Sequence, residues 1–319
     1  IPRAGLTMAR RDAWKSLGGV TVGGVSLANP VMTASGTAGH DTELAHYMDL
    51  SSLGAVVVKS LYHEPWAGNP APRVHVAGAG MINAVGLEGP GVLGWCNDSL
   101  PRLEKAGATT VVSIWGRSVE DYGRAAELLS TCSARIAAIE VNLSCPNLEG
   151  RSSIFAHDAD LSADVVRAVA GEVGLPVWAK LSANTDRLLD VVGAVDSAGA
   201  AAVTLINTML GMQIDTRTGR PSLGNGGGGL SGASIHPIAV RAVHDVAAAF
   251  PAVDIIGVGG ISSGADAVEM MMAGAKCVQV GTATFARPDA CARVLAGATA
   301  IVMRRGGNTW GSVHRLAHR

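Results

Sequence analysis

Eight short apolar segments alternate with alanine-rich amphipathic stretches along this chain, and the alternation constrains the fold more than any other feature. The apolar segments are residues 30–34, 55–58, 109–114, 137–141, 176–179, 202–206, 254–258 and 277–280. Stretches typical of helices include 118–130, 161–173, 187–198, 234–249 and 265–273. Strands that alternate with helices indicate βαβ units and a parallel sheet. Eight such units in 319 residues predict a (β/α)8 TIM barrel, with an open doubly wound sheet as the alternative α/β fold.

Two further features complete the predicted architecture. We expect an N-terminal β-hairpin around residues 18–27, and the excursions at 60–100 and 207–233 exceed usual loop lengths. Long loops of this kind commonly act as lids or binding loops. No shift in composition and no linker divides the chain, so we expect residues 1–319 to form one domain.

Charge and cysteine usage argue against several classes of function. The net charge of −1 disfavours nucleic acid as a partner, because phosphate binding needs a basic surface. No apolar run approaches the roughly 18 residues of a membrane span, and the first residues lack a signal-peptide core. The five cysteines, at positions 96, 132, 145, 277 and 291, include no C-x-x-C pair. We therefore expect reduced thiols in a cytoplasmic protein, and no metal site or iron–sulfur cluster in this chain.

Polar residues and glycines follow the predicted strands, where barrels carry their catalytic groups. In chain order they are Ser35-Gly36, Lys59, the Trp115-Gly116 turn after Ser113, Asn142, Lys180, Asn207-Thr208, Gly259-Gly260 and Gly281-Thr282. A single lysine at a strand end is usually a solvated charge. Two lysines that each directly follow an apolar strand favour a functional site.

The segment Glu140–Asn147 places two amides and a thiol at the end of one strand. Asn142 and Asn147 can each read the edge of a small polar ring, since an amide offers acceptors and donors together. Cys145 between them can serve as acid, base or nucleophile. The alternative is a buried free cysteine beside the turn at Pro146.

Two glycine turns indicate a phosphate site. They follow the last two strands, at 257–260 and 280–282, where barrels commonly bind phosphate through backbone N–H groups. Tight barrel turns are the alternative explanation. The spacing is not that of the dinucleotide fingerprint. The glycine run at 226–229 is either a flexible loop edge or a further phosphate contact, and Asn83 is either a turn residue or another ring-reading amide.

Taken together, these segments resemble class 1 dihydroorotate dehydrogenases, and most closely their NAD-linked subclass. The resemblance spans about 19–285 and rests on residues 29–36, 68–73, 83–87, 142–147, 180–182, 206–212, 228–232, 257–260 and 280–282. It implies an FMN-containing (β/α)8 barrel that oxidises dihydroorotate to orotate in pyrimidine biosynthesis.

The resemblance also implies roles for single residues. Cys145 would be the base that removes the C5 proton, Lys59 would lie between flavin and substrate, and Lys180 would face the N1–C2 carbonyl edge of the flavin. The implied substrate ligands are Lys59, Asn83, Gly86, Leu87, Asn142, Asn147, Asn207 and Thr208. The implied cofactor ligands are Ala34, Ser35, Gly36, Lys59, Ser113, Asn142, Lys180, Ile206, Gly232, Gly259, Gly260, Gly281 and Thr282.

Three positions depart from the pattern of the family. Gly89 stands where a second asparagine is common, Ser113 replaces an asparagine that faces the flavin, and Ala183 replaces a proline. The first two changes weaken the polar shell of the expected site, which bears on the choice of substrate.

The resemblance leaves the electron acceptor and the exact substrate open. It implies a homodimer and, if NAD is the oxidant, a separate FAD- and iron–sulfur-containing subunit; fumarate is the other acceptor. One alternative function is an FMN-dependent oxidoreductase of another dihydropyrimidine, and another is a catalytically silent flavin-binding barrel. Flavin-dependent RNA modification is disfavoured by the neutral charge.

Overall fold

Eight parallel strands form the centre of the computed structural model, which describes residues 12–144 and 154–319. In chain order they are β3 (Val31–Thr33), β4 (Val56–Val57), β7 (Thr110–Ile114), β8 (Ala138–Asn142), β9 (Val177–Lys180), β10 (Ala202–Leu205), β15 (Ile255–Val258) and β16 (Cys277–Val280). Their order in the sheet is β3-β16-β15-β10-β9-β8-β7-β4. A parallel bridge between Met32 and Ala55 joins β3 to β4, the two end strands. The predicted barrel is confirmed, and the open sheet is wrong.

Helices connect the strands and cover the outside of the barrel. They are α1 (Gly91–Lys105), α2 (Val119–Ser130), α3 (Ala159–Glu172), α4 (Leu188–Ser197), α5 (His236–Ala249), α6 (Gly264–Ala273), α7 (Ala283–Ala286) and α8 (Ala290–Arg304). Local sequence explains where several begin. Ser118 and Ser263 each form a capping box with an aspartate three residues later, which satisfies two free N–H groups of the first turn.

The excursion predicted at 60–100 ends in a helix rather than continuing as a loop. Helix α1 contains Pro101 in its interior and two glycines near its start. Both residue types lower helix propensity, which hid the helix from a reading of local pattern. Trp95, Leu100 and Leu103 are nevertheless fully buried, so tertiary packing stabilises this helix.

The predicted hairpin closes the N-terminal end of the barrel. Strands β1 (Val20–Val22) and β2 (Val25–Leu27) pair around a turn at Gly23-Gly24. The indole N–H of Trp178, at the start of β9, donates to the Gly23 carbonyl at 3.1 Å. Asp254 accepts from the Gly23 N–H at 2.9 Å. The hairpin therefore packs its apolar residues on the first layer of side chains inside the barrel.

The two long excursions meet in one small antiparallel sheet. Strands β5 (Val74–Ala77) and β6 (Gly80–Asn83) come from the first excursion, and β11 (Met209–Gly211) and β14 (Gly228–Gly232) from the second. Their order is β11-β14-β6-β5. A short ribbon of β12 (Ile214–Asp215) and β13 (Arg220–Pro221) extends the second excursion. Asn83 pairs with Gly229 across the sheet, so residues 146 positions apart reach the same site.

None of the helices in the described ranges is long and apolar enough to cross a membrane.

Trp178→Phe tests how much the hairpin contact contributes. The variant loses the hydrogen bond to Gly23 and leaves a small void, so the free energy of unfolding in urea should fall by about 1–3 kcal/mol. Tyr47→Phe, at an aromatic side chain that is 62% exposed, is the control and should change stability little. Equal stability of the two variants would contradict a contribution from the hairpin.

Candidate active site

A fully buried ion pair lies inside the barrel near the C-terminal ends of the strands. The Lys180 ammonium donates to Glu140 at 3.4 Å, to the Gln279 side-chain oxygen at 3.2 Å and to the Ser35 hydroxyl at 3.0 Å. The second carboxylate oxygen of Glu140 accepts from Gln279 at 2.6 Å and from Thr204 at 3.0 Å. Each of these side chains belongs to a different strand or strand end, so the closed barrel brings them together.

The partners of Lys180 differ in how firmly they are held. An ammonium group has three N–H donors, and here all three are engaged. Glu140 and Gln279 are fully buried in strand interiors, whereas Ser35 lies in the partly exposed turn after β3. A ligand with an acceptor atom at this position can take the place of the serine without disturbing the other two bonds.

A chain of polar side chains crosses the neighbouring strand ends. The hydroxyls of Ser113 and Ser60 lie 2.8 Å apart, and Ser60 accepts from the Asn142 amide at 3.2 Å. The Asn142 oxygen accepts from Asn207 at 3.0 Å, and the Asn207 oxygen accepts from the backbone N–H of Thr208 at 2.8 Å. These contacts fix the orientation of both amides. Ser113 lies inside β7, one residue before the end of the strand, and its side chain contacts Ser60.

The small sheet adds Asn83 to this group. The Asn83 amide donates to the Gly229 carbonyl at 3.2 Å. A Cβ at Gly229 would lie 2.1 Å from the Thr208 hydroxyl, so the sheet packs directly on Thr208. Gly86 and Leu87 follow in the same excursion, and both have positive φ.

Lys59 lines a cavity of about 680 Å³ together with His40, Trp66 and Glu88. Its backbone N–H donates to the Gly39 carbonyl at 2.9 Å. Burial lowers the pKa of the Lys59 ammonium; the nearby charge of Glu88 opposes this shift. The cavity therefore presents a partly desolvated cation, which strengthens its attraction to an anionic group.

His40 fills the space beside Gly89, the position that departs from the family pattern. A Cβ at Gly89 would lie 3.0 Å from Nε2 of His40. That nitrogen is buried and has no hydrogen-bond partner among the described residues. Burial, with a contribution from the charge of Lys59, lowers the pKa of His40 to about 4. The ring is therefore neutral at physiological pH.

The turns at Gly232, Gly259-Gly260 and Gly281-Thr282 lie close together, and we call them the glycine cradle. A Cβ at Gly260 would lie 2.9 Å from the Gly232 carbonyl, and one at Gly232 would lie 3.4 Å from the Thr282 methyl group. Gly281 approaches Ala34, with 3.3 Å between the corresponding Cβ positions. Gly260 has a φ of 68°, which side chains other than glycine rarely adopt.

The cradle presents unused backbone donors. The N–H groups of Gly259, Gly260, Gly281 and Thr282 donate to no other residue in the described part of the chain. Of the four residues, Gly259 is buried and the other three are partly buried. Backbone N–H groups in neighbouring turns can bind an anion. The residues present therefore fit a phosphate group.

Two of the predicted site residues, Cys145 and Asn147, lie outside the described residues. The four cysteines within the described ranges are buried free thiols. Gly36 and Ile206 lie beside Ser35 and Asn207, at the same end of the barrel as the polar residues. Five residues that the sequence reading missed contribute to the site, namely Ser60, Glu140, Thr204, Gln279 and His40.

The fold and this site define an α/β barrel with a cluster of glycine turns at one part of its rim and a buried lysine at another. Comparison with known sequences is more specific. The sequence profile of the dihydroorotate dehydrogenase family matches residues 19–302. The chain belongs to the dihydroorotate dehydrogenase family, whose members use a flavin.

Similar proteins cover nearly the whole chain. A protein of Desulforudis audaxviator is 45% identical over 302 residues, which is 94% of this chain and 97% of the relative. One from Bacillus pumilus is 42% identical, with 86% and 88% covered, and one from Geotalea daltonii is 44% identical, with 87% and 90% covered. All three are named the catalytic subunit of dihydroorotate dehydrogenase B (NAD(+)).

Glu140→Gln tests the buried ion pair. The variant leaves the Lys180 charge without a counterion in the barrel, which should lower the free energy of unfolding in urea by about 3–5 kcal/mol. Glu120→Gln, at an exposed glutamate, is the matched control and should cost little. Glu140→Gln combined with Lys180→Met should cost less than the sum of the single variants. Additive losses would contradict a direct coupling of the two charges.

Proposed function

We propose that this chain catalyses the FMN-dependent oxidation of (S)-dihydroorotate to orotate in pyrimidine biosynthesis. The observation that carries the proposal is the pairing of Lys180, held deep in the barrel, with a cradle of free N–H groups at the same rim. Residues 1–319 would form one FMN-binding barrel domain. Dihydroorotate dehydrogenases among the similar proteins support the choice of substrate.

The cofactor would be held at two ends. The N–H groups at Gly259, Gly260, Gly281 and Thr282, beside Gly232, would bind the phosphate. Lys180 would donate to the N1–C2 carbonyl edge of the ring from the position where it now contacts Ser35. A cation at that edge stabilises negative charge on the ring. Ala34 and Gly36, on either side of Ser35, would contact the ring itself.

The amides would hold the substrate. The Asn142 side chain donates one N–H to the Ser60 hydroxyl, and the Asn207 side chain donates one N–H to the Asn142 oxygen. The second N–H of each amide has no partner among the described residues, so both can donate to carbonyl oxygens of a pyrimidine ring. Asn83, Thr208 and the backbone at Gly86 and Leu87 would complete the shell, with Asn147 from outside the described residues.

The chemical step divides between a base and a hydride acceptor. Bound FMN supplies the acceptor, at flavin N5, for the hydride from C6. We assign the removal of the C5 proton to Cys145, on the sequence pattern and the family resemblance. Lys59, whose pKa is lowered by burial, would lie between flavin and substrate and hold the substrate carboxylate by its charge.

A separate subunit would carry electrons onward. The similar proteins are named catalytic subunits of an NAD(+) enzyme, which implies a partner for each of them. For this chain we propose a partner that contains FAD and an iron–sulfur cluster, and a homodimeric core. Exposed apolar side chains on and beside the small sheet, Val74, Val76, Leu210, Met212 and Ile214, support an interface between subunits.

The purified chain should bind one FMN. After reconstitution with excess FMN and desalting, the absorbance spectrum should show about one flavin per chain, because the cradle and Lys180 provide one site. Anaerobic dihydroorotate should bleach this spectrum. Dihydrouracil and dihydrothymine are the control substrates. Faster bleaching by dihydrouracil or dihydrothymine than by dihydroorotate would identify another dihydropyrimidine as the substrate. A bound flavin that none of the three compounds bleaches would indicate a catalytically silent flavin-binding barrel.

Cys145→Ala should slow reduction of the flavin by dihydroorotate by roughly 10²-fold or more, the scale expected for losing a general base. Cys145→Ser should recover part of the rate at high pH, since a hydroxyl can relay a proton. Cys291→Ala is the matched control, because burial raises the pKa of that thiol to about 12 and keeps it inert. An alanine variant at position 145 with the parental rate would refute the assignment of the base.

The isolated chain should reduce an artificial dye with dihydroorotate but should not reduce NAD, since the proposed partner carries that step. Light scattering should give the mass of a dimer. Rapid NAD reduction by the chain, free of any co-purifying protein, would contradict the need for a partner. Efficient fumarate reduction would place the chain with the fumarate-linked enzymes instead.

A further inference from the structure

His236, the first residue of α5, uses both nitrogens of its ring. Nδ1 lies 2.8 Å from the Gly259 carbonyl oxygen, and Nε2 lies 3.2 Å from a carboxylate oxygen of Glu269 on α6. Gly259 belongs to the glycine cradle. The histidine therefore connects the cradle to an acidic residue on the next helix.

The two contacts of His236 differ in what they require of a neutral ring and of a protonated ring. A carbonyl oxygen and a carboxylate oxygen both accept hydrogen bonds. A neutral imidazole carries a single N–H and can donate to only one of them, whereas an imidazolium donates to both. Both contacts of His236 can therefore be hydrogen bonds at the same time only when the ring carries two N–H groups.

If the ring is protonated, the positive member of the His236–Glu269 pair is the one nearer the cradle. The side chain of His236 is 12% exposed, and that of Glu269 is 58% exposed. Water therefore screens the carboxylate more than the imidazolium. A Cβ at Gly260 would lie 2.6 Å from the Cβ of His236, so the histidine packs directly against the turn.

The other residues of the cradle are uncharged. Gly259, Gly260, Gly281 and Thr282 offer backbone N–H groups to an anion that carries close to two negative charges, while the Thr282 hydroxyl donates to Ser231. A charge-assisted site binds such an anion more strongly than neutral donors alone. A protonated His236 would place a cation directly beside Gly259 and Gly260.

We propose that His236 is a cofactor-positioning residue, which fixes the Gly259 carbonyl and supplies positive charge to the site of the FMN phosphate. This inference rests on the proposed function. A purely structural role for His236 would require only its hydrogen bond to Gly259. The proposed role also requires the positive charge of the ring.

Binding of FMN and of riboflavin to the full chain, measured by flavin fluorescence at pH 7.5, separates the two roles. His236→Gln keeps a donor for Gly259 but carries no charge. It should raise the Kd for FMN by roughly 5- to 20-fold and leave the Kd for riboflavin, which has no phosphate, unchanged. His236→Lys should retain most of the preference for FMN. His244→Gln, on the same helix with a side chain 41% exposed, is the matched control and should change neither constant.

Equal weakening of FMN and riboflavin by His236→Gln, or no weakening of either, would overturn the proposal. Nitrogen NMR of the His236 ring in flavin-free protein gives an independent result. Both ring nitrogens should be protonated at pH 7.5, and a neutral ring would also overturn it. If His236→Gln fails to fold, as judged by circular dichroism, then His236→Lys and the NMR result decide. A parental chain that binds no FMN would instead refute the proposed function, so the two failures can be told apart.

Discussion

The contact between Glu140 and Lys180 is the interaction on which the rest of the site depends. Two opposite charges inside a barrel are costly unless every remaining donor and acceptor is satisfied. Gln279 and Thr204 meet that requirement for the carboxylate, and they come from two further strands. The correct register of several strands is therefore needed at once, because a shift of one residue would turn these side chains out of the barrel.

Side chains two positions apart on a strand point to the same face of the sheet. Inside the barrel they therefore form stacked layers, an apolar layer that supports the site and a polar layer that belongs to it. Ala138, Trp178, Ala202 and Cys277 fill the N-terminal layer of the interior, against the hairpin. The residues two positions later are Glu140, Lys180, Thr204 and Gln279, which form the hydrogen-bonded polar layer. The apolar layer excludes water from below, and this strengthens the electrostatic interactions above it.

The sequence predicted the barrel well and the interior of the site poorly. The strands agree within one or two residues because each is a short apolar run with a glycine, proline or polar residue at or next to at least one end. Lys180 and Asn142 stood out because they close such runs. Glu140 and Gln279 lie within apolar strands, and no strand end marks them in the sequence. The pairing of Asn83 with Gly229 joins two distant excursions, and no local pattern contains that information.

The two ends of the site determine the shape of a ligand that fits it. Lys180 contacts Ser35 in the turn after β3, and the preceding residue, Ala34, lies against Gly281 of the cradle. The buried cation and the free N–H groups are therefore joined through a single turn. A small anion would engage only the cradle, and a neutral ring only the lysine. A ligand with a polar ring and a phosphate on a short tail can use both ends at once, and its orientation in the barrel is then fixed by charge.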